Sequence, residues 1–206
     1  MPVFFQQQIN EHTRLGVWKI EETEAFFQGN VPQHREVTHP HKRLQHLAGR
    51  FLLQFLFPDF PYGLIQIADT KKPFLPNEQY HFSISHCGDY AAAIVSRHQR
   101  VGIDVEIPVE KVLRIQDKFL TQEERQIFNI QYSLDSTKMA TLLWSSKEAV
   151  FKWYGDGGVD FRNHIHLSNQ QADIETIDCV FSKNNSSLAI HYRQFDGLVL
   201  AWVVSG

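Results

Sequence analysis

The sequence predicts an α+β fold, with helices set between antiparallel strands. Three observations carry that expectation. Apolar residues recur at helical spacing around 41–57 and 137–154, residues 81–85 alternate polar and apolar, and strand-like blocks recur at 90–95, 101–105 and from Val180 to Val204. A chain of 206 residues suits one large domain or two halves of roughly 100 residues sharing an interface. Its 43% hydrophobic content and sixteen Phe supply an ample core, which excludes disorder, collagen and coiled coil.

From about His41 to Phe57, Leu44, Leu47, Ala48, Phe51, Leu52 and Phe55 form one apolar stripe, and Pro58 closes the helix. Arg43, His46 and Arg50 share another face of it. Turn residues follow at Asp69-Thr70-Lys71-Lys72-Pro73 and Pro76-Asn77, then His81-Phe82-Ser83-Ile84-Ser85 alternates as a strand. Tyr90 to Val95 and Val101 to Val105 read as a hairpin meeting across Ser96 to Arg100. Thr121-Gln122-Glu123-Glu124 has the form of a capping box opening a second helix. A third spans about Thr137 to Tyr154 and stops at Gly155-Asp156-Gly157-Gly158. Val180-Phe181, Leu188 to Tyr192 and Leu198 to Val204 complete the strands.

Charge divides unevenly. Residues 1–100 carry 10 Lys and Arg against 9 Asp and Glu, whereas 101–206 carry 10 against 14, for a net charge of −3. That balance lacks the basic excess of a protein that coats nucleic acid. The basic side of the first half gathers in His34, Arg35, His39, His41, Lys42, Arg43, His46 and Arg50, opposed only by Glu36, where an anion can dock. Cys87 and Cys179 are too few for a disulfide framework and match no zinc spacing, so packed thiols in a reducing compartment are expected. The start has no positive n-region and Leu198 to Val204 is far short of a membrane span, so a soluble, cytoplasmic protein without nucleic-acid or membrane partners is expected.

The chemistry concentrates in two segments. In Val101-Gly102-Ile103-Asp104-Val105-Glu106, the period of two sends Asp104 and Glu106 to one face. Their Cα atoms lie about 6.5–7 Å apart at strand rise, so their oxygens can meet at one hard cation, and Gly102 leaves room for a ligand near the backbone. Taken alone, the pattern equally describes a half-buried strand with an acidic solvent face. In Trp144-Ser145-Ser146-Lys147-Glu148-Ala149-Val150-Phe151-Lys152, residues 144, 148 and 152 share one helix stripe. That too has a plain reading, a surface Glu–Lys pair beside a core Trp. Together, three carboxylates, a lysine, a basic cluster and Ser85-His86 supply what transfer from a diphosphate needs: oxygen ligands for Mg²⁺, cations for phosphate, and positioning.

These segments resemble the paired signature of the 4′-phosphopantetheinyl transferase superfamily, in its longer, surfactin-synthetase-activating (Sfp-like) type. The resemblance extends to Lys72-Pro73-Phe74, to Phe82-Ser83-Ile84-Ser85-His86-Cys87 and to Phe119-Leu120-Thr121-Gln122-Glu123-Glu124, spanning residues 72–152, with a weaker likeness around Arg43 to Arg50. It implies a Mg²⁺-dependent transfer of phosphopantetheine from coenzyme A to a serine of an apo acyl or peptidyl carrier protein, releasing adenosine 3′,5′-bisphosphate. The implied architecture is a monomer of two similar α+β halves, a pseudo-dimer: residues 1–100 binding coenzyme A, and 101–206 carrying metal and catalytic residues.

Site roles follow from the resemblance position by position. Asp104, Glu106 and Glu148 match the metal positions, and Lys152 the diphosphate lysine. Lys72, Pro73, Ser85, His86 and Arg50 match positions around the adenosine and its 3′-phosphate, with Arg43 added from the basic face. The general base stays open between Glu148, Glu124 and a metal-bound water, since Glu124 also fits the capping box. The histidines of 34–46 fit a phosphate-facing or solvated role. Two other functions remain: a non-catalytic coenzyme A or carrier-protein binding module of the same fold, and a different Mg²⁺-dependent phosphotransferase. No G-x-x-x-x-G-K-[ST] loop supports the second.

Overall fold

A computed structural model describes residues 3–31, 37–130, 133, 135–171 and 174–205. His34, Arg35 and Glu36 of the expected basic cluster lie outside them. Strands β1 (Val3–Asn10), β2 (Thr13–Lys19), β5 (His81–Cys87) and β6 (Tyr90–Ser96) make one antiparallel sheet in the order β1-β2-β6-β5. A second sheet has the order β7-β11-β10-β9-β8, from β7 (Arg100–Glu106), β8 (Ile165–Gln171), β9 (Thr176–Phe181), β10 (Ser186–Phe195) and β11 (Leu198–Ser205). Two short strands, β3 (Gln66–Ile67) and β4 (Pro73–Phe74), pair antiparallel as a separate two-stranded sheet.

Each sheet carries a long helix on its outer face. Helix α2 (Pro40–Leu56), which follows the short α1 (Glu24–Gln28), packs Leu47, Ala48, Leu52 and Leu53 with Trp18, Ala91, Ala93 and Val95. Pro40 occupies its first turn, where no intrahelical donor is lost. After α3 (Lys111–Ile115) and α4 (Gln122–Ile127), helix α5 (Ser136–Tyr154) packs Ala149, Val150 and Trp153 with Val199, Ala201 and Val203. Asp135 caps its start through the Lys138 N–H, and Gly155 ends it in the left-handed region at φ 79°, as the glycine-rich stop predicts. The last helix, α6 (Phe161–His164), is a single turn.

The inner faces meet each other. Leu15, Val17, Ala92 and Ile94 of the first sheet share a core with Val101, Ile103, Val105, Leu198, Leu200 and Trp202 of the second. β6 therefore sends Ala91 and Ala93 to α2 and Ala92 and Ile94 to the other sheet. A strand buried on both faces reads as an unbroken apolar run, which is how 91–95 and 198–204 read.

This stacking corrects the expected hairpin of 90–95 with 101–105. β6 pairs with β2 and β5, whereas β7 pairs with β11. The link between them carries the chain from one sheet to the next, and the strands face each other across a shared core. Also unforeseen were β1 and β2, which pair with each other, β2 then pairing with β6 at the other end of the first half. Among the described residues no helix is long and apolar enough to cross a membrane.

Candidate active site

Asp104 lies in the middle of β7, 2% exposed, on the face opposite Val101, Ile103 and Val105. The alternation thus separates carboxylate from core as expected, but the carboxylate faces protein and not solvent. Gly102 is the reason α5 comes so near. A Cβ there would stand 2.0 Å from the Ala149 carbonyl oxygen and 2.6 Å from the Trp153 nitrogen. The room expected for a ligand at Gly102 is filled by helix backbone, and this contact brings the last turns of α5 against β7.

Three side chains close around that contact. Lys152 donates to Asp104 Oδ1 at 2.7 Å and to Ser85 Oγ at 2.9 Å, while Ser85 Oγ donates to Asp104 Oδ1 at 2.8 Å. The Ser85 hydroxyl also accepts the Val105 N–H at 3.3 Å, and Ser83 accepts the Ile103 N–H at 3.2 Å. Two serines on alternate positions of one edge strand thereby satisfy the exposed backbone of the other edge strand. The other Asp104 oxygen, Oδ2, is buried without a hydrogen bond.

Glu106 and Glu148 add charge to this carboxylate. Burial pushes the Glu148 carboxyl up to about 7, Asp104 and Glu106 pushing the same way against Lys152. Burial and then Asp104 also raise Glu106, while Cys87, Trp144 and Lys152 pull it back. Mutual repulsion among neighbouring carboxylates is the electrostatic state that a divalent cation relieves. Among the described residues, though, no three His, Cys, Asp or Glu side chains are gathered closely enough to form a ready metal cage.

Lys152 also lines a cleft of about 230 Å³ together with Thr70, Lys72, Pro73, Ser83 and Phe151. Lys72 reaches it by crossing the end of α5, where its ammonium donates to the Trp153 carbonyl at 3.4 Å. A Cβ on Gly155 would meet that ammonium at 2.6 Å, which a flexible lysine end can yield, so it is the positive φ that favours glycine there. Burial, then Arg100, push the Lys72 amine down to about 8. Lys72, Pro73 and Lys152, far apart in sequence, share one cleft, and Ser85 joins them through Lys152.

The remaining candidates lie elsewhere or are held by other partners. Arg43 donates to Glu24 at 2.7 Å and to the Val37 and Thr38 carbonyls. Arg50 is buried, 5% exposed, against His46 at 3.4 Å, so α2 does not present an open basic face at that turn. His86 is exposed near the end of β5, and His41 meets Asp89 at 2.9 Å beside that strand's turn. Glu124 forms the capping box with Thr121, as its spacing predicts, and also accepts from Leu167 N–H and from Lys147 at 2.7 Å. Both cysteine thiols are pushed up by burial, Cys87 to about 11 and Cys179 to about 12, which keeps them protonated and unreactive.

Sequence reading missed Lys147 and Ser83. Lys147 is fully buried and donates to the Phe161 and Ile165 carbonyls at 3.0 and 2.7 Å besides Glu124, so it ties α5 to α4, α6 and β8. Its signal was its position one residue before Glu148, off the stripe of 144, 148 and 152. For Ser83 the signal was its place two residues before Ser85, on the same strand face.

A family model described as the 4′-phosphopantetheinyl transferase superfamily matches residues 100–203, from β7 through β11, and so includes Asp104, Glu106, Glu148 and Lys152. The chain is 28% identical over 178 residues to enterobactin synthase component D of Escherichia coli (strain K12), covering 82% of each chain. It is 34% identical over 116 residues to enterobactin synthase component D of Salmonella austin, 56% of this chain and 49% of that one. It is 27% identical over 143 residues to 4′-phosphopantetheinyl transferase AcpT of Escherichia coli O157:H7, 66% of this chain and 73% of the relative.

Proposed function

The chain belongs to the 4′-phosphopantetheinyl transferase superfamily, and we propose that the Asp104–Ser85–Lys152 cluster is where it moves 4′-phosphopantetheine from coenzyme A to a carrier-protein serine. The chain is a transferase of α+β fold. The observation that carries the site is the buried, unbonded Oδ2 of Asp104 beside two carboxyls, Glu106 and Glu148, that burial first and the Asp104 charge second push up.

That oxygen fits a divalent cation, because an ion there would complete Asp104 and offset the repulsion from Glu106 and Glu148. Asp104, Glu106 and Glu148 would hold Mg²⁺, which when bound supplies charge neutralisation at the coenzyme A diphosphate. Lys152 turns its ammonium toward the same cleft and stabilises the charge that grows on the departing adenosine bisphosphate. Ser85 fixes the direction of both Lys152 and Asp104. Lys72 and Pro73 line the same cleft and would hold the adenosine end; the resemblance assigns Arg50, His86 and Arg43 to its 3′-phosphate, although Arg50 is buried against His46 and Arg43 is held by Glu24. Glu124 has its oxygens engaged by Thr121, Leu167 and Lys147, so Glu148 is the carboxylate left to accept the proton from the carrier serine.

In this reading residues 1–100 supply the coenzyme A wall and 101–206 the metal and catalytic groups of a cytoplasmic monomer. The test is incubation with coenzyme A, Mg²⁺ and a panel of apo fatty-acid, polyketide and peptidyl carriers, followed by intact-protein mass spectrometry. A phosphopantetheine mass gain on at least one carrier is expected. Coenzyme A binding with no gain on any carrier would instead identify a binding module.

A further inference from the structure

A second cavity, of about 300 Å³, shares Lys72, Pro73, Phe82 and Gly155 with the cleft but includes neither Lys152 nor Ser83. Lys72 and Arg100 both line it. Among the described residues neither cation pairs with a carboxylate, and the Lys72 ammonium has the Trp153 carbonyl as its hydrogen-bond acceptor. Their mutual repulsion is visible at Lys72, where Arg100 is the second cause, after burial, of the lowered pKa, with the charge of Asp156 opposing. His81 beside them is lowered too, by burial first, with Arg100 and Lys72 contributing and Glu78 opposing. The carboxylates on this ring, Glu78 and Asp156, are both exposed.

The rest of the wall is apolar, with Leu75 and Val101 buried and Tyr154 half-buried. A free inorganic anion would leave that wall unused, and a dianion would meet Glu78 and Asp156 at the mouth. We propose that this cavity binds an amphiphilic monocarboxylate, its head between Lys72 and Arg100 and its aliphatic or aryl body against Leu75, Phe82, Val101 and Tyr154. The volume is at the lower end for small-molecule sites, which suits a body the size of octanoate better than a nucleotide. Because one ammonium serves both cavities, the carboxylate and coenzyme A compete for Lys72.

The test is calorimetric titration of octanoate into the full chain, beside 1-octanol and octylammonium as neutral and cationic bodies of equal length. Octanoate should bind about tenfold or more tightly than either, the loss expected for one or more charged hydrogen bonds. Arg100→Glu, at an exposed strand position, should weaken octanoate by a similar factor with unchanged circular dichroism. Lys152→Ala, outside this cavity, should leave it unaltered. No octanoate binding, equal binding of octanol, indifference to Arg100→Glu, or loss in Lys152→Ala would each overturn the site. Only binding is read, so failure here leaves the transferase reading intact.

Discussion

Lys152 bonds one oxygen of Asp104, Oδ1, at 2.7 Å, while the other, Oδ2, is buried and unbonded. A carboxylate held for stability alone would have both oxygens satisfied. Asp104→Asn keeps the shape and removes the charge, so turnover should fall on the order of a thousandfold. Lys152 is 24% exposed, so the stability loss should lie between the ~1 kcal/mol of an exposed pair and the ~3–5 kcal/mol of a buried one. Urea unfolding and steady-state kinetics on the same preparation separate the two effects, and an unfolded Asp104→Asn would mark the residue as structural.

Glu124→Ala should behave in the opposite way. It strands the fully buried Lys147 ammonium, a loss of about 3–5 kcal/mol, with a fall in Tm on the order of 10 °C. Glu124→Gln, which retains acceptor and shape, should keep turnover of the folded fraction within about tenfold of wild type, since general-base removal costs about 10²–10⁴-fold. A thousandfold kinetic loss in a stable Glu124→Gln would return Glu124 to the list of bases.

Gly102→Ala tests the contact that seats α5 on β7. The added methyl collides with backbone at Ala149 and Trp153, which have no flexible end to yield. Thermal melts should show a loss of at least about 3 kcal/mol, the upper end of overpacking, with turnover lost in whatever remains folded. A variant of wild-type Tm and activity would refute the close approach.

Lys72 gives a pH signature. Its amine titrates near 8 when folded and near its ordinary 10.5 when unfolded, so between those values the unfolded chain binds more protons and stability rises with pH. Below pH 8 the charged amine is a burden in the fold. Lys72→Met should therefore be more stable than wild type at pH 7, with the advantage shrinking toward pH 10.5, and should bind coenzyme A more weakly. Urea midpoints at both ends of that window check it, and a pH-independent gap would show that packing, not charge, sets the difference.

How far the sequence foretold this site depended on whether the signal was local. Helix α5 was legible from its stripe and from Gly155, and the Thr121–Glu124 box from its spacing. Asp104 was separable from Val101, Ile103 and Val105 by alternation alone. The hairpin misreading arose because two adjacent apolar strands look alike whether they pair along edges or stack across a core. The serine bonds from β5 to β7 and the Lys147–Glu124 tie join segments about 20 residues apart in sequence or belong to a face the helical stripe ignores, so no local pattern announced them. Lys72-Pro73 was legible only through resemblance, whereas Ser85 also stood out at the end of its strand.

The most direct measurement is the rate of phosphopantetheine mass gain on an accepted apo-carrier, followed at saturating coenzyme A across a Mg²⁺ titration in wild type, Asp104→Asn and Glu124→Gln. Mg²⁺-dependent modification is expected in wild type and in Glu124→Gln, with a loss on the order of a thousandfold in Asp104→Asn that added Mg²⁺ does not restore. Wild-type modification by folded Asp104→Asn would contradict the role given to Asp104.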